Sequence, residues 1–90
     1  MSSMYDRITA GEYNHKLPYS SPREDREAFQ AYRDEYRRLE ELFKADALAE
    51  LGLTNHPKAG RLFDMARVNR SGEGYRAVYE EMEELSELMT

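Results

Sequence analysis

Between Ser21 and Gly52, apolar side chains recur at Phe29, Tyr32, Tyr36, Leu39 and Phe43, in alternating steps of three and four. The pattern continues through Ala47, Leu48 and Leu51. Steps of three and four return a side chain to one face of an α-helix, so the segment reads as a helix with a heptad-like apolar seam. Its start is signalled three times. Ser21 suits the N-cap, Pro22 the first helical position, and Glu24 completes an S-x-x-E capping box. Glu24, Asp25 and Glu27 then sit where the helix dipole favours negative charge. Gly52 supplies the left-handed residue that commonly ends a helix. The predicted helix covers residues 21–51. About 30 residues at 1.5 Å each make a rod of ~45 Å, whereas a compact chain of this size has a radius of gyration of ~12 Å. Such a rod must lie along other helices or along a second copy of the chain.

Two shorter helices follow. Thr54 or Asn55 can cap a second helix, with Pro57 in its first turn and Ala59, Leu62, Phe63 and Ala66 on its apolar face. Its expected span is 55–69. A break at Ser71-Gly72-Glu73-Gly74 precedes a third helix, expected over 72–89, with Ser71 as cap and Tyr75, Val78, Tyr79, Met82, Leu85, Leu88 and Met89 as its seam. Residues 1–20 lack this regularity. One helical turn near Tyr5 to Ala10 is expected there, followed by an extended arm, since Leu17 precedes Pro18 and is biased away from helical geometry. Tyr5, Ile8, Tyr13 and Tyr19 give the arm apolar anchors that need a surface to lie on. The predicted fold is therefore all-α within a single domain of 1–90: an N-terminal extended arm, one long helix, then an antiparallel pair of shorter helices.

Composition changes this picture in one respect. Seven tyrosines and three phenylalanines stand against one isoleucine and two valines. An interior rich in tyrosine must satisfy hydroxyl groups, and small domains bury little surface to begin with. Such a composition suits either a small aromatic core or a protein interface, where aromatic residues are enriched, and the seam makes a homo-oligomer the expected assembly. Charge is segregated within a net −5. Residues 52–72 carry Lys58, Arg61, Arg67 and Arg70 against Asp64, while residues 73–90 carry Arg76 against six glutamates. Basic second and acidic third helices would complement one another if antiparallel.

Candidate chemistry is sparse. The absence of cysteine excludes disulfides and thiolate chemistry. No apolar run is long enough to span a membrane, and no secretory leader pattern opens the sequence, so a cytoplasmic location is expected. Glu12-x-x-His15 has the spacing of a bundle metal ligand pair, but such sites combine two of these motifs with further carboxylates; no metal and no cofactor is expected. No phosphate-binding loop, nucleophile elbow or dinucleotide fingerprint occurs, so the chain is not read as an enzyme. Net negative charge disfavours binding to nucleic acid. The acidic third helix leaves open an acidic mimic of nucleic acid.

The segments Tyr5-Asp6-Arg7-Ile8-Thr9-Ala10-Gly11-Glu12-Tyr13, Lys16-Leu17-Pro18-Tyr19, Phe43-Lys44-Ala45-Asp46-Ala47-Leu48 and Gly52-Leu53-Thr54-Asn55-His56-Pro57-Lys58-Ala59 resemble small uncharacterised proteins encoded by tailed phages and prophages. The resemblance implies no catalytic residue. It implies a host cytoplasm as setting and a role in which a short protein binds a host or defence protein and modulates it, or sequesters a small signalling molecule. The expected function is non-catalytic binding of a host protein. The alternative is capture of a small anionic ligand such as a nucleotide. Candidate partner-binding residues are Tyr13, His15, Lys16 and Tyr19 of the arm with His56 and Lys58 at the second helix start. The ligand reading requires Lys16, Lys58 and His15 to converge. The protein-binding reading requires only exposed aromatic anchors.

Overall fold

A computed structural model describes residues 3–89. The protein is all-α. Helices α1 (Met4–Thr9), α2 (Arg26–Glu50), α3 (Ala59–Asn69) and α4 (Tyr75–Leu88) follow in chain order, and no strand occurs among the described residues.

The helical turn expected near Tyr5 to Ala10 is present as a capped six-residue helix, and the segment expected to lie on a surface contributes to the core instead. Ser3 Oγ accepts a hydrogen bond from the Asp6 N–H, and the Asp6 carboxylate accepts one from the Ser3 N–H. This S-x-x-D box fixes α1. Gly11, at φ 81°, turns the chain back where a side chain would be strained. Met4 and Tyr13 are thereby buried.

The long helix starts later than the capping box at Ser21 suggests. Ser21 does bind the Glu24 N–H through Oγ, and its carbonyl accepts from the Glu24 and Asp25 N–H groups. That closes one turn only. Asp25 is extended, at φ −157° and ψ 106°, and its Oδ1 accepts from the N–H groups of both Glu27 and Ala28. A carboxylate that satisfies two orphan donors is the stronger cap, so α2 begins at Arg26. The shorter helices shift likewise. Thr54 to Lys58 form turns in which His56 Nδ1 accepts from the Lys58 N–H, and α3 starts at Ala59 without a side-chain cap. Ser71 caps nothing, and α4 starts after Gly74, also without a side-chain cap.

Phe43, fully buried, is the hub of the core. Tyr13 meets it edge-on at 5.3 Å, Tyr75 stacks on it at 4.5 Å and Phe63 tilts against it at 6.1 Å. One side chain of α2 thus gathers the N-terminal segment, α3 and α4. Polar contacts reinforce the same junctions. The Tyr13 hydroxyl donates to Asp46 at 2.8 Å, and Arg7 lies 3.5 Å from the same carboxylate. Tyr5 donates to Glu83 and packs edge-on against Tyr79. The expected complementarity of α3 and α4 is seen where Arg70 and Asn69 both reach Glu81 at 3.1 Å. Arg67 pairs across to Glu40 on α2 instead.

The described residues measure 48 × 26 × 22 Å. Length arises because α2 outruns its partners: its fully buried side chains begin only at Leu39. Its first half extends beyond the core, covered in part by the returning N-terminal segment.

Candidate partner-binding groove

The six residues singled out from sequence occupy three separate environments. Tyr13 is a core residue, 2% exposed, and cannot act as a surface anchor. His15 stacks on Tyr32 with ring centroids 4.0 Å apart. Its Nδ1 accepts from the Leu17 N–H at 3.1 Å, so the proton resides on Nε2, which donates to the Tyr32 carbonyl at 2.9 Å. Nε2 thus ties the chain to α2, while Nδ1 closes a local turn at Leu17. Tyr19 also meets Tyr32, with the two rings edge to face at 5.3 Å, and is otherwise exposed. Lys16 is exposed beside them. His56 and Lys58 lie beyond the opposite end of α2, where His56 closes a local turn. The helix between Tyr32 and Leu51 alone is ~28 Å long at 1.5 Å per residue. The arm and the α3 start therefore do not converge, and the anion site built on Lys16, Lys58 and His15 does not assemble.

The acidic helix also differs from a free array of carboxylates. Glu80 pairs with Arg76, Glu81 with Arg70, and Glu83 accepts from Tyr5. Among the described residues no group of three or more His, Asp or Glu side chains is placed to hold a metal ion. No helix of these residues is long and apolar enough to cross a membrane.

A concave feature of another kind lies elsewhere. A groove of about 430 Å³ runs between the first half of α2 and the α3–α4 connection, floored by Tyr36, Phe63 and Tyr75 and edged by Glu40, Arg67 and Arg70. A second hollow of about 370 Å³, formed by Tyr32, Arg33, Tyr36, Arg37 and Glu40, continues it along α2. The helical repeat explains the lining. Arg26, Arg33, Arg37 and Lys44, spaced by seven, four and seven, form one stripe. It runs beside the aromatic stripe Phe29, Tyr32 and Tyr36. Arg33 lies over the Phe29 ring and Lys44 over Phe63.

The shared seam predicts Tyr36 to be buried with Leu39 and Phe43, but it is 49% exposed. The seam is continuous in sequence, yet the chain has no further helix to lay on its first half. Tyr75 is only partly covered, and its hydroxyl is pushed above the ordinary tyrosine range by burial and then by the neighbouring Tyr36 and Glu40. Among the described residues, neither the Tyr36 nor the Tyr75 hydroxyl has a hydrogen-bond partner. The groove thus offers an aromatic floor, free hydroxyl groups and guanidinium edges. It holds no histidine and no nucleophile–base pair.

Sequence reasoning missed this site because Tyr36 and Tyr75 both read as core positions. The available signal was the arginine stripe, with seven- and four-residue spacing beside aromatic positions that two shorter helices cannot cover.

No curated protein and no solved structure matches the chain. A family model does, over residues 2–90. With nearly its whole length matched, the chain belongs to the family of unknown function DUF8546.

Proposed function

We propose that this protein is a non-catalytic accessory protein that binds and modulates another protein, using the first half of α2 and the adjoining groove as its contact face. The observation that carries the reading is the exposure of Tyr36: it continues the seam that buries Leu39 and Phe43, yet half of it faces solvent. Leu17 and Tyr19 are exposed near the same end of α2 and would enlarge the apolar face. Tyrosine is a favoured hot-spot residue because it brings large apolar area with a polar tip. The choice of a host or defence protein as target rests on the resemblance to phage-encoded proteins.

The N-terminal segment enters this reading in a changed role. Tyr19 remains an anchor, whereas Tyr13 supports the fold and His15 positions the chain on α2. A homo-oligomer along α2 is less favoured, because Leu39 and Phe43 are already buried within one chain. What remains of the seam, Phe29 to Tyr36, is shorter than the three to four heptads a coiled coil usually sustains.

The test is affinity capture from a bacterial host lysate with the intact protein and with Tyr36→Ala. The reading expects a partner that intact protein retains and the variant loses, while circular dichroism of the two is the same. Equal capture by both would remove the proposed face.

A further inference from the structure

We infer that the Tyr36–Tyr75 groove receives an acidic polypeptide segment, one that carries carboxylates interspersed with apolar side chains. This rests on the reading of the protein as a protein-binding module and specifies the chemistry of its partner.

Charge distribution is the first observation. The molecule is acidic overall, yet this one groove and its continuation collect Arg33, Arg37, Arg67 and Arg70 against Glu40 and Glu73. Two of these arginines are already matched: Arg67 by Glu40 and Arg70 by Glu81. Arg33 and Arg37 have no carboxylate partner among the described residues. They stand one helical turn apart on the rim, with Arg26 further along the same stripe. A guanidinium presents a planar fork that binds carboxylate bidentately.

The floor is the second observation. Tyr36 and Tyr75 offer apolar ring area together with hydroxyl donors that no described residue engages. The two hollows share Tyr36 and Glu40 and so adjoin along α2. From Tyr32 to Glu40 the helix rises ~12 Å, room for a few extended residues or two turns of helix. An apolar side chain over Tyr36 with carboxylates toward Arg33 and Arg37 fills this shape and matches its charge.

A nucleic acid strand fits less well. Its dense phosphate charge would meet the net negative field of the whole molecule. A peptide with a few carboxylates needs only local attraction, since at physiological salt fields fade over ~8 Å.

Fluorescence anisotropy with labelled degenerate peptide pools tests this. One pool alternates Asp or Glu with Phe, Leu or Tyr. The second replaces the acids by Asn or Gln. A third probe is oligothymidylate. The acidic pool is expected to bind, to weaken as NaCl rises, and to bind the doubly substituted Arg33→Gln/Arg37→Gln protein at least roughly tenfold more weakly, about 1.4 kcal/mol. Both arginines are exposed, so unchanged helicity by circular dichroism serves as the folding control. Equal binding of acidic and amide pools, tighter binding of oligothymidylate, insensitivity to the double substitution, or no binding of the acidic pool would each overturn the inference. If lysate capture still depends on Tyr36 in any of those cases, the protein-binding reading stands and only its acidic specificity falls.

Discussion

At the scale of single residues, Phe43 and Tyr36 show how equal positions in a pattern acquire different roles. They lie one heptad apart on the same face of α2. Phe43 is enclosed by rings from three other parts of the chain, whereas Tyr36 borders solvent. Phe43→Ala is expected to cost ~3–5 kcal/mol in urea unfolding, the usual cost of truncating a core phenylalanine. Tyr36→Ala should stay within about 1 kcal/mol, because little of its contact area is lost from the fold. Comparable losses for both would show that Tyr36 is structural. Three tyrosines carry a second prediction. Tyr5 is held neutral by its bond to Glu83, and Tyr13 and Tyr79 chiefly by burial, each pushed up from 10.0 to about 12. An unfolded tyrosine ionises first, so the unfolded state releases protons at lower pH. The stability these groups contribute is fully present below pH 10.0 and is lost as pH rises toward about 12. The urea midpoint should fall across that window, together with the appearance of tyrosinate absorbance. A midpoint independent of pH there would contradict the hydrogen bonds and burial assigned to these hydroxyls.

At the scale of elements, the helix ends are set by local donors and acceptors more than by the apolar pattern. Asp25, which takes two N–H groups, holds the start of α2, and Asp25→Ala should cost ~1 kcal/mol. Ser21→Ala, which touches only the preceding turn, should cost less than half of that. α4 offers the reverse case. Gly74 is its N-cap at φ −78°, with no side-chain cap and open space where a Cβ would stand. Gly74→Ser should therefore stabilise the protein by ~0.5–1 kcal/mol, from a new cap and a less flexible unfolded chain. Thermal unfolding of the three variants checks the order. If Ser21→Ala proved the costliest, α2 would start where the sequence box alone suggests.

At the scale of the whole molecule, the N-terminal segment decides whether a core forms. Met4 and Tyr13 belong to the buried cluster, Tyr5 and Ile8 pack against it, and Asp46 receives both Tyr13 and Arg7. Deleting residues 1–20 should thus abolish cooperative unfolding rather than merely remove a binding arm. Tyr13→Ala should likewise lower stability by several kcal/mol, on the scale of a core aromatic truncation. A truncated chain that kept a sharp thermal transition would mean that α2, α3 and α4 are self-sufficient.

How much of this was legible depends on whether the signal is local. Helical periodicity repeats every few residues, so the all-α class, the long second helix and the Ser71–Gly74 break could be read from the sequence alone. Caps are also local, but Ser21 and Asp25 compete within five positions, and only the backbone geometry shows that Asp25 closes α2. The fate of an apolar face is not local. Phe43 and Tyr36 are indistinguishable by spacing, and what separates them is how far α3, α4 and the N-terminal segment reach along α2. The same holds for the histidines: sequence spacing leaves His15 and His56 free to share a site, and the length of α2 keeps them apart. The sequence determined which faces were available for packing. The tertiary structure decided which were used, because covering a 25-residue helix takes more partner length than two shorter helices and a short N-terminal segment supply.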